Sequence, residues 1–376
     1  MPNVLIDTPA FVFDIKKLVD RVSMIKENLK GISICYAMKA NSFLVKDLIG
    51  VVDAFEVCSP GEYQICKALN VPKNKIVLSG VFKEEEDISN IVKECKDLPI
   101  YTVESLNQLD LLDRKAKENN LVLNVYLRLS GGNQFGMDEE VIKSILENRK
   151  NYALNILGLQ SYTGTQKKDA QIEKELDYLS AFTDELESEY DINFKNFEYG
   201  PGLRVNYFKS DAPINDEDLL KALKHNLSKF EKKHITLEMG RFIAAYCGEY
   251  HTKIVDLKET KGVKYCIVDG GINHLNYFGQ MMAMKAPFIL ENENGVEDNY
   301  TICGSLCTVA DVLVRNYPLH DAKIGDKLVF LNVGAYSITE GIYLFLSRNM
   351  PKIYKRNVNG ELDLVRDTIK TYTINM

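Results

Sequence analysis

Lys39 closes an apolar run, ISICYAM, and is followed by Ala-Asn-Ser. An ammonium in that place is ordinarily the first residue of a surface loop. Its meaning changes if other polar groups gather at the same end of the fold. Two glycine clusters are candidates: GPG at 200–202 and the pair Gly240-Arg241, each closing another apolar run. Glycine lets backbone N–H groups approach an anion closely, and arginine adds a fixed cation suited to phosphate. A lysine opposite such a cradle could form a Schiff base with a phosphorylated aldehyde.

Something must bring these residues together. Eight short apolar runs recur along the chain: ISICYAMKA, AFEVCS, KIVLSG, IYTVE, LVLNVYLRLS, NILGLQSYT, NFEYG and HITLEMG. Amphipathic segments such as EEEDISNIVKECKD and KELDYLSAFTDELESEY lie between them. Near-continuous apolar strands alternating with helices predict a parallel sheet. Eight such units over about 220 residues fit an α/β fold of the closed (β/α)8, TIM-like kind. A doubly wound open sheet is the other option, but no GxGxxG follows the first strand.

In a (β/α)8 barrel, chemistry sits at the C-terminal ends of the strands, and phosphate is held after strands seven and eight. Those ends carry Lys39, Asn41 and Ser42; Glu56 and Ser59; Ser79; Glu104; Arg128; Gln160, Tyr162, Gly164 and Thr165; Gly200 and Gly202; and Glu238, Gly240 and Arg241. Each one alone reads as a loop side chain. Together they read as a pocket.

Beyond about residue 262 the pattern turns to strands with few helices: YCIVDGGI, YTICGS, DKLVFLNV and DLVRDTIKTYTI. TPAFVFD near the N-terminus also reads as a strand. The expected organisation is a barrel over 25–262 and a β-sandwich or β-barrel domain built from 1–24 plus 263–376.

The totals exclude several classes. The chain has 376 residues with a net charge of −7, which disfavours a broad nucleic-acid surface. No apolar run is long enough to span a membrane, and MPNVLIDTPAFVFD lacks the pattern of a signal peptide. The eight cysteines form no CxxC pair and suit a reduced, cytoplasmic, soluble protein. The five histidines form no metal-like cluster, and no metal is expected. His274 reads as a domain-junction residue, and the basic stretch RNMPKIYKR at 348–356 as a solvated surface.

The ordered motifs resemble the fold-type III pyridoxal-phosphate decarboxylases, the group of diaminopimelate, ornithine and arginine decarboxylases. TPAFVFD, YAMKAN, FEVCSPGE, GLQSYTGTQ, EYGPGL, LEMGR, CGSLCTVAD and NVGAY follow that family's order over nearly the whole chain. The resemblance implies pyridoxal 5′-phosphate as cofactor, bound to Lys39. It implies that Glu238 pairs with the pyridine nitrogen. Gly200, Gly202, Gly240 and Thr165 fall at phosphate-binding positions, with Tyr336 also on the phosphate and Arg241 on phosphate or substrate. Glu56 and Ser59 fall in the motif after strand two. Cys307 matches a cysteine that enters the site from the other subunit of a homodimer and protonates the carbanionic intermediate. Thr308 and Asp311 fall at or beside substrate positions.

There are departures. Tyr162 stands where the family has a histidine stacked on the cofactor ring, and Glu56 where aspartate is frequent. Thr308 stands where diaminopimelate decarboxylases carry an acid that holds the substrate. CTVAD and GAYSIT resemble more closely a subgroup acting on carrier-tethered or specialised-metabolite amino acids. The implied activity is α-decarboxylation of a free amino acid or of one borne by an acyl or peptidyl carrier protein. An acidic carrier could meet Lys352, Lys355 and Arg356. The alternatives are diaminopimelate decarboxylation proper and racemisation of the alanine racemase type, which places an arginine at the pyridine nitrogen where this chain has Glu238. A non-enzymatic carrier of the cofactor would resemble the barrel alone.

Overall fold

The structure is a computed structural model that describes residues 6–94, 99–280, 282–292 and 294–376. The first strand, β1 (Ala10–Asp14), is followed by a helix over Ile15–Asn28. Eight strands then alternate with helices: β2 (Ser33–Ala37), β3 (Ala54–Val57), β4 (Ile76–Leu78), β5 (Ile100–Val103), β6 (Leu123–Leu129), β7 (Leu154–Tyr162), β8 (Asn196–Gly200) and β9 (His234–Met239). They close into a parallel barrel, β9 pairing back onto β2 with Cys35 opposite Glu238. Each of the eight apolar runs is one of these strands. The two amphipathic segments form helices Glu85–Glu94 and Asp169–Tyr190. The end of the first segment, and residues 1–5, lie outside the described residues.

The remaining strands are β10 (Gly248–Thr260), β11 (Val263–Val268), β12 (Ile289–Leu290), β13 (Glu297–Cys303), β14 (Val312–His320), β15 (Lys327–Leu331), β16 (Lys352–Arg356) and β17 (Leu362–Arg366). With β1 they make one nine-stranded sheet, in which β1 lies between β10, antiparallel, and β16, parallel. The chain divides into two compact units. One is Val22–Arg204 with Ile214–Phe242; the other is Met1–Arg21, Val205–Pro213 and Ile243–Met376.

Four expectations change. The boundary after residue 262 moves back to Phe242, because the long β10 pairs with β1, β11 and β15. RNMPKIYKR is no free surface: Ile353 and Tyr354 are buried in β16, and Arg356 forms ion pairs with Asp14 and Glu249. Of DLVRDTIKTYTI, only the part within β17 is strand. His274 lies in the interior of the β unit, its Nδ1 2.9 Å from the Tyr250 hydroxyl and its ring stacked on Tyr343. Burial first of all lowers its pKa to about 4, so the ring is neutral there at pH 7.

Among the described residues, no helix is long and apolar enough to cross a membrane. The seven described cysteines are all free thiols.

Candidate active site

Lys39 sits on a single 3-10 turn, Met38–Ala40, directly after β2. Met38 and Ala40 are buried on either side, which leaves the lysine as the residue the turn presents. Asn41 stops the turn. Its side chain accepts from the N–H of Phe43, and its carbonyl accepts from the buried Tyr36 hydroxyl.

The Lys39 ammonium lies 2.7 Å from Glu56 Oε2 and 3.1 Å from Glu238 Oε1, with Cys58 Sγ at 3.9 Å. Both glutamates are buried. Burial raises the pKa of each, but the outcomes diverge. The Lys39 charge, with hydrogen bonds from Glu238 and Lys39, outweighs burial at Glu56 and holds it below the usual carboxylate range. At Glu238, burial and the charge on Glu56 outweigh Lys39 and push it above that range. Two carboxyls this close cannot both ionise cheaply, so the pair shares a proton, with Glu56 pushed toward the anion and Glu238 toward the acid. Gln160 Nε2 donates to the second oxygen of Glu238 at 3.3 Å.

The phosphate-like cradle is built next to this cluster. Gly202 has φ +58°, and a Cβ there would lie 2.1 Å from the Gly164 carbonyl oxygen. Only glycine fits both constraints. A Cβ at Gly200 would strike the Tyr162 ring at 2.4 Å, so that ring packs closely on bare backbone. Gly240 packs on Ala40 and Ala37, which brings the start of helix Arg241–Ala244 against the lysine turn. Arg241 Nε donates to Thr165 Oγ1 at 3.2 Å. Tyr162 faces Lys39, its ring centre 5.8 Å from Nζ.

The barrel unit therefore brings together Lys39, Glu56, Tyr162, Thr165, Gly200, Gly202, Glu238, Gly240 and Arg241. The Ser59 hydroxyl accepts from Glu62 N and caps helix Pro60–Ala68. Cys307, Thr308, Asp311 and Tyr336 belong to the β unit. Cys307 is exposed on the loop that leads into β14. Asp311 shapes that loop, Oδ1 accepting from Ile272 N at 2.8 Å and Oδ2 from Leu306 N at 2.7 Å. Tyr336 has φ +68°, and its carbonyl accepts from the N–H groups of Thr339 and Glu340.

Sequence reasoning assigned no role to some residues that the fold places here. Glu175 accepts from Lys167, Tyr199 and Thr163 and so pins the 163–168 loop against β8. Arg128 and Glu104, named only as strand ends, form a buried ion pair at 3.1 Å. Glu198, fully buried inside the barrel, carries no signal in the sequence pattern.

The family model for the pyridoxal-dependent decarboxylases, pyridoxal-binding domain, matches residues 15–245. The chain belongs to that family. It is similar to diaminopimelate decarboxylase of Methanocaldococcus jannaschii, 28% identical over 84% of this chain and 76% of the relative. The crystal structure of that enzyme with L-lysine superposes with a TM-score of 0.87, covering 96% of this chain and 90% of the other. It is also similar to the Staphylococcus aureus 2-[(L-alanin-3-ylcarbamoyl)methyl]-2-hydroxybutanedioate decarboxylase, 26% identical over 91% and 92% of the two chains. A third relative is the L-glutamyl-[BtrI acyl-carrier protein] decarboxylase of Niallia circulans, 26% identical over 83% and 79%.

The decarboxylase's cofactor is pyridoxal 5′-phosphate, and its reaction is that of an amino-acid carboxy-lyase. The barrel residues fit that group. A lysine amine, a buried carboxyl beside it, an aromatic face and a bare-backbone cradle with Arg241 and Thr165 match an aldehyde, a ring nitrogen, a ring and a phosphate in turn.

Proposed function

We propose that this decarboxylase removes the α-carboxylate of an amino acid whose far end is extended through an amide or held on a carrier protein, rather than ending in a free ammonium. The observation that carries this is the loop bearing Cys307. Thr308 follows the cysteine where diaminopimelate decarboxylases have an acid. Asp311, the nearest carboxylate along that loop, spends both oxygens on backbone N–H groups. A free distal ammonium would find no open carboxylate among the described residues of this loop. The relatives from S. aureus and N. circulans support the reading. By their names, one acts on an amide-extended amino acid and the other on a carrier-bound glutamyl group.

The roles follow from the geometry. Bound pyridoxal phosphate supplies an electron sink for the pair left by departing CO2. Lys39 is the amine that holds the cofactor. Glu238 carries a proton in the cofactor-free protein and is the group to keep the ring nitrogen protonated. Glu56, ionised at pH 7, keeps the lysine amine oriented and charged until it is needed. Tyr162 offers a ring face for stacking but no imidazolium. Thr165, Arg241 and the backbone at Gly200, Gly202 and Gly240 take the phosphate. Cys307, from a second copy of the chain, returns a proton to the α-carbon.

The test is CO2 release by the cofactor-loaded protein from a matched panel. It contains free lysine, ornithine, arginine, glutamate and meso-diaminopimelate, a 2,3-diaminopropionate amide of a hydroxytricarboxylic acid, and a glutamyl-carrier protein. Turnover of the amide or the carrier-bound compound is expected. Preferential turnover of meso-diaminopimelate would overturn the proposal in favour of that activity.

A further inference from the structure

Inside the barrel lie four buried carboxyls, Glu56, Glu104, Glu198 and Glu238, and two cations, the half-buried Lys39 and the buried Arg128. Lys39 meets Glu56 and Glu238, and Arg128 meets Glu104. Glu198 is left over. It is completely buried on β8, and neither of its oxygens has a hydrogen-bond partner. The groups facing it are Glu238 from β9, Glu56 from β3, Arg128 and Tyr126 from β6, and Lys39 and Cys35 from β2 and the turn after it. Burial, then the negative charge of the Glu238–Glu56 pair, push Glu198 well above the usual carboxylate range. Isolated charge in such a place is costly, and the neutral acid is the stable form.

A second orphan stands beside it. Gln160 on β7 is in register with Glu198 on β8 and is also fully buried. Its Nε2 donates to Glu238, but its Oε1 has no donor. Side chains in register on adjacent strands stand about 5 Å apart, within reach of a direct hydrogen bond or of one water. A protonated Glu198 is the donor that Gln160 lacks.

We infer that Glu198 is a positioning residue, a neutral acid that donates to Gln160 Oε1 and, through the Gln160 amide, steadies the Glu238 carboxyl opposite the cofactor's ring nitrogen. This adds a donor to Glu238 without adding charge to the barrel. It rests on the reading that Glu238 faces that nitrogen, whereas infrared detection of the Glu198 proton needs neither cofactor nor that reading.

Infrared difference spectra of the cofactor-free protein, carrying carbon-13 glutamate, should show a protonated-carboxyl band that is lost in Glu198→Gln. In the loaded protein, Glu198→Gln keeps a donor and should hold the pH midpoint of the visible absorbance at the wild-type value. Glu198→Leu and Gln160→Leu break the same relay. They should shift that midpoint in the same direction and lower kcat by roughly 10-fold, the scale of a hydrogen bond to a charged group, with KM little changed. If no protonated-carboxyl band disappears in Glu198→Gln, Glu198 is ionised, which overturns the inference. So does a wild-type midpoint and kcat in Gln160→Leu, a variant that leaves Glu198 in place should Glu198→Leu fail to fold.

Discussion

Glu56 and Glu238 sit on barrel strands that do not adjoin, yet both reach the Lys39 ammonium, at 2.7 and 3.1 Å. The strand between them, β2, carries the lysine turn, so closing the barrel is what makes the cluster. The two acids are pushed in opposite directions: the Lys39 charge holds Glu56 toward the anion, while burial and the charge on Glu56 push Glu238 toward the acid. One site thus stores both a charge for the lysine and a proton for the cofactor.

Glu238→Gln should therefore leave the fold and cofactor binding in place but lower kcat. A loss of roughly 10²–10⁴-fold is expected, the range for a positioned proton-transfer group. Steady-state kinetics check it, with cofactor content measured on the same samples. A variant with near-wild-type kcat would remove Glu238 from the mechanism.

Cys307 is exposed in its own chain, and we propose that it completes the site of a second copy in a homodimer. Lys39→Ala and Cys307→Ala should each be inactive alone. Mixed in equal amounts and allowed to exchange, half of the dimers are hybrid, and each hybrid has one intact site. About a quarter of wild-type activity should return. No return despite exchange, shown by native mass spectrometry, means that Cys307 serves its own subunit or no site.

Tyr162 lies on the bare backbone of Gly200, so its ring face rather than its hydroxyl is the useful part. Tyr162→Phe should bind the cofactor as wild type does. Tyr162→Ala should lose about 3–10-fold in affinity, the worth of one aromatic contact. Fluorescence titration of the cofactor-free variants measures both. A large loss in Tyr162→Phe would point to the hydroxyl instead.

The β unit has its own pH signature. Burial works against the charge on Glu249, but His251 and Arg356 prevail and hold its pKa at about 2. A depressed folded pKa gives stability that is complete above the unfolded value and is lost as pH falls through the folded one. The β unit should lose about 2–3 kcal/mol between pH ~4.5 and pH ~2 from this group. Arg356→Ala should flatten that slope, because it removes the link from β16 to β10. Urea unfolding at pH 7, 4.5 and 3 reads it, and an unchanged slope would assign the acid sensitivity elsewhere.

The eight barrel strands were legible because parallel strands, covered on both sides, read as apolar runs. The nine-stranded sheet was less so. In β10, Lys253 faces solvent between the buried Thr252 and Ile254, and from Val255 onward the strand is mostly exposed, which breaks the run. In β16 the charges of KIYKR hide a buried Ile353-Tyr354 pair. At the site, residues at strand ends were visible from position alone. Glu198 was not: one carboxyl inside NFEYG gives no periodic signal, and it is the register of β7 against β8 that puts it beside Gln160.

The decisive experiment is to find which amine holds the cofactor. The loaded protein is reduced with borohydride, digested and mapped by mass spectrometry. The pyridoxyl mass should fall on Lys39, and Lys39→Ala should lose both the label and the visible absorbance. Burial lowers the pKa of Lys83, to about 8, and that of Lys167, which makes both competent amines. A label on either of them, with Lys39 unmodified, would contradict the assignment of Lys39 and the site built around it.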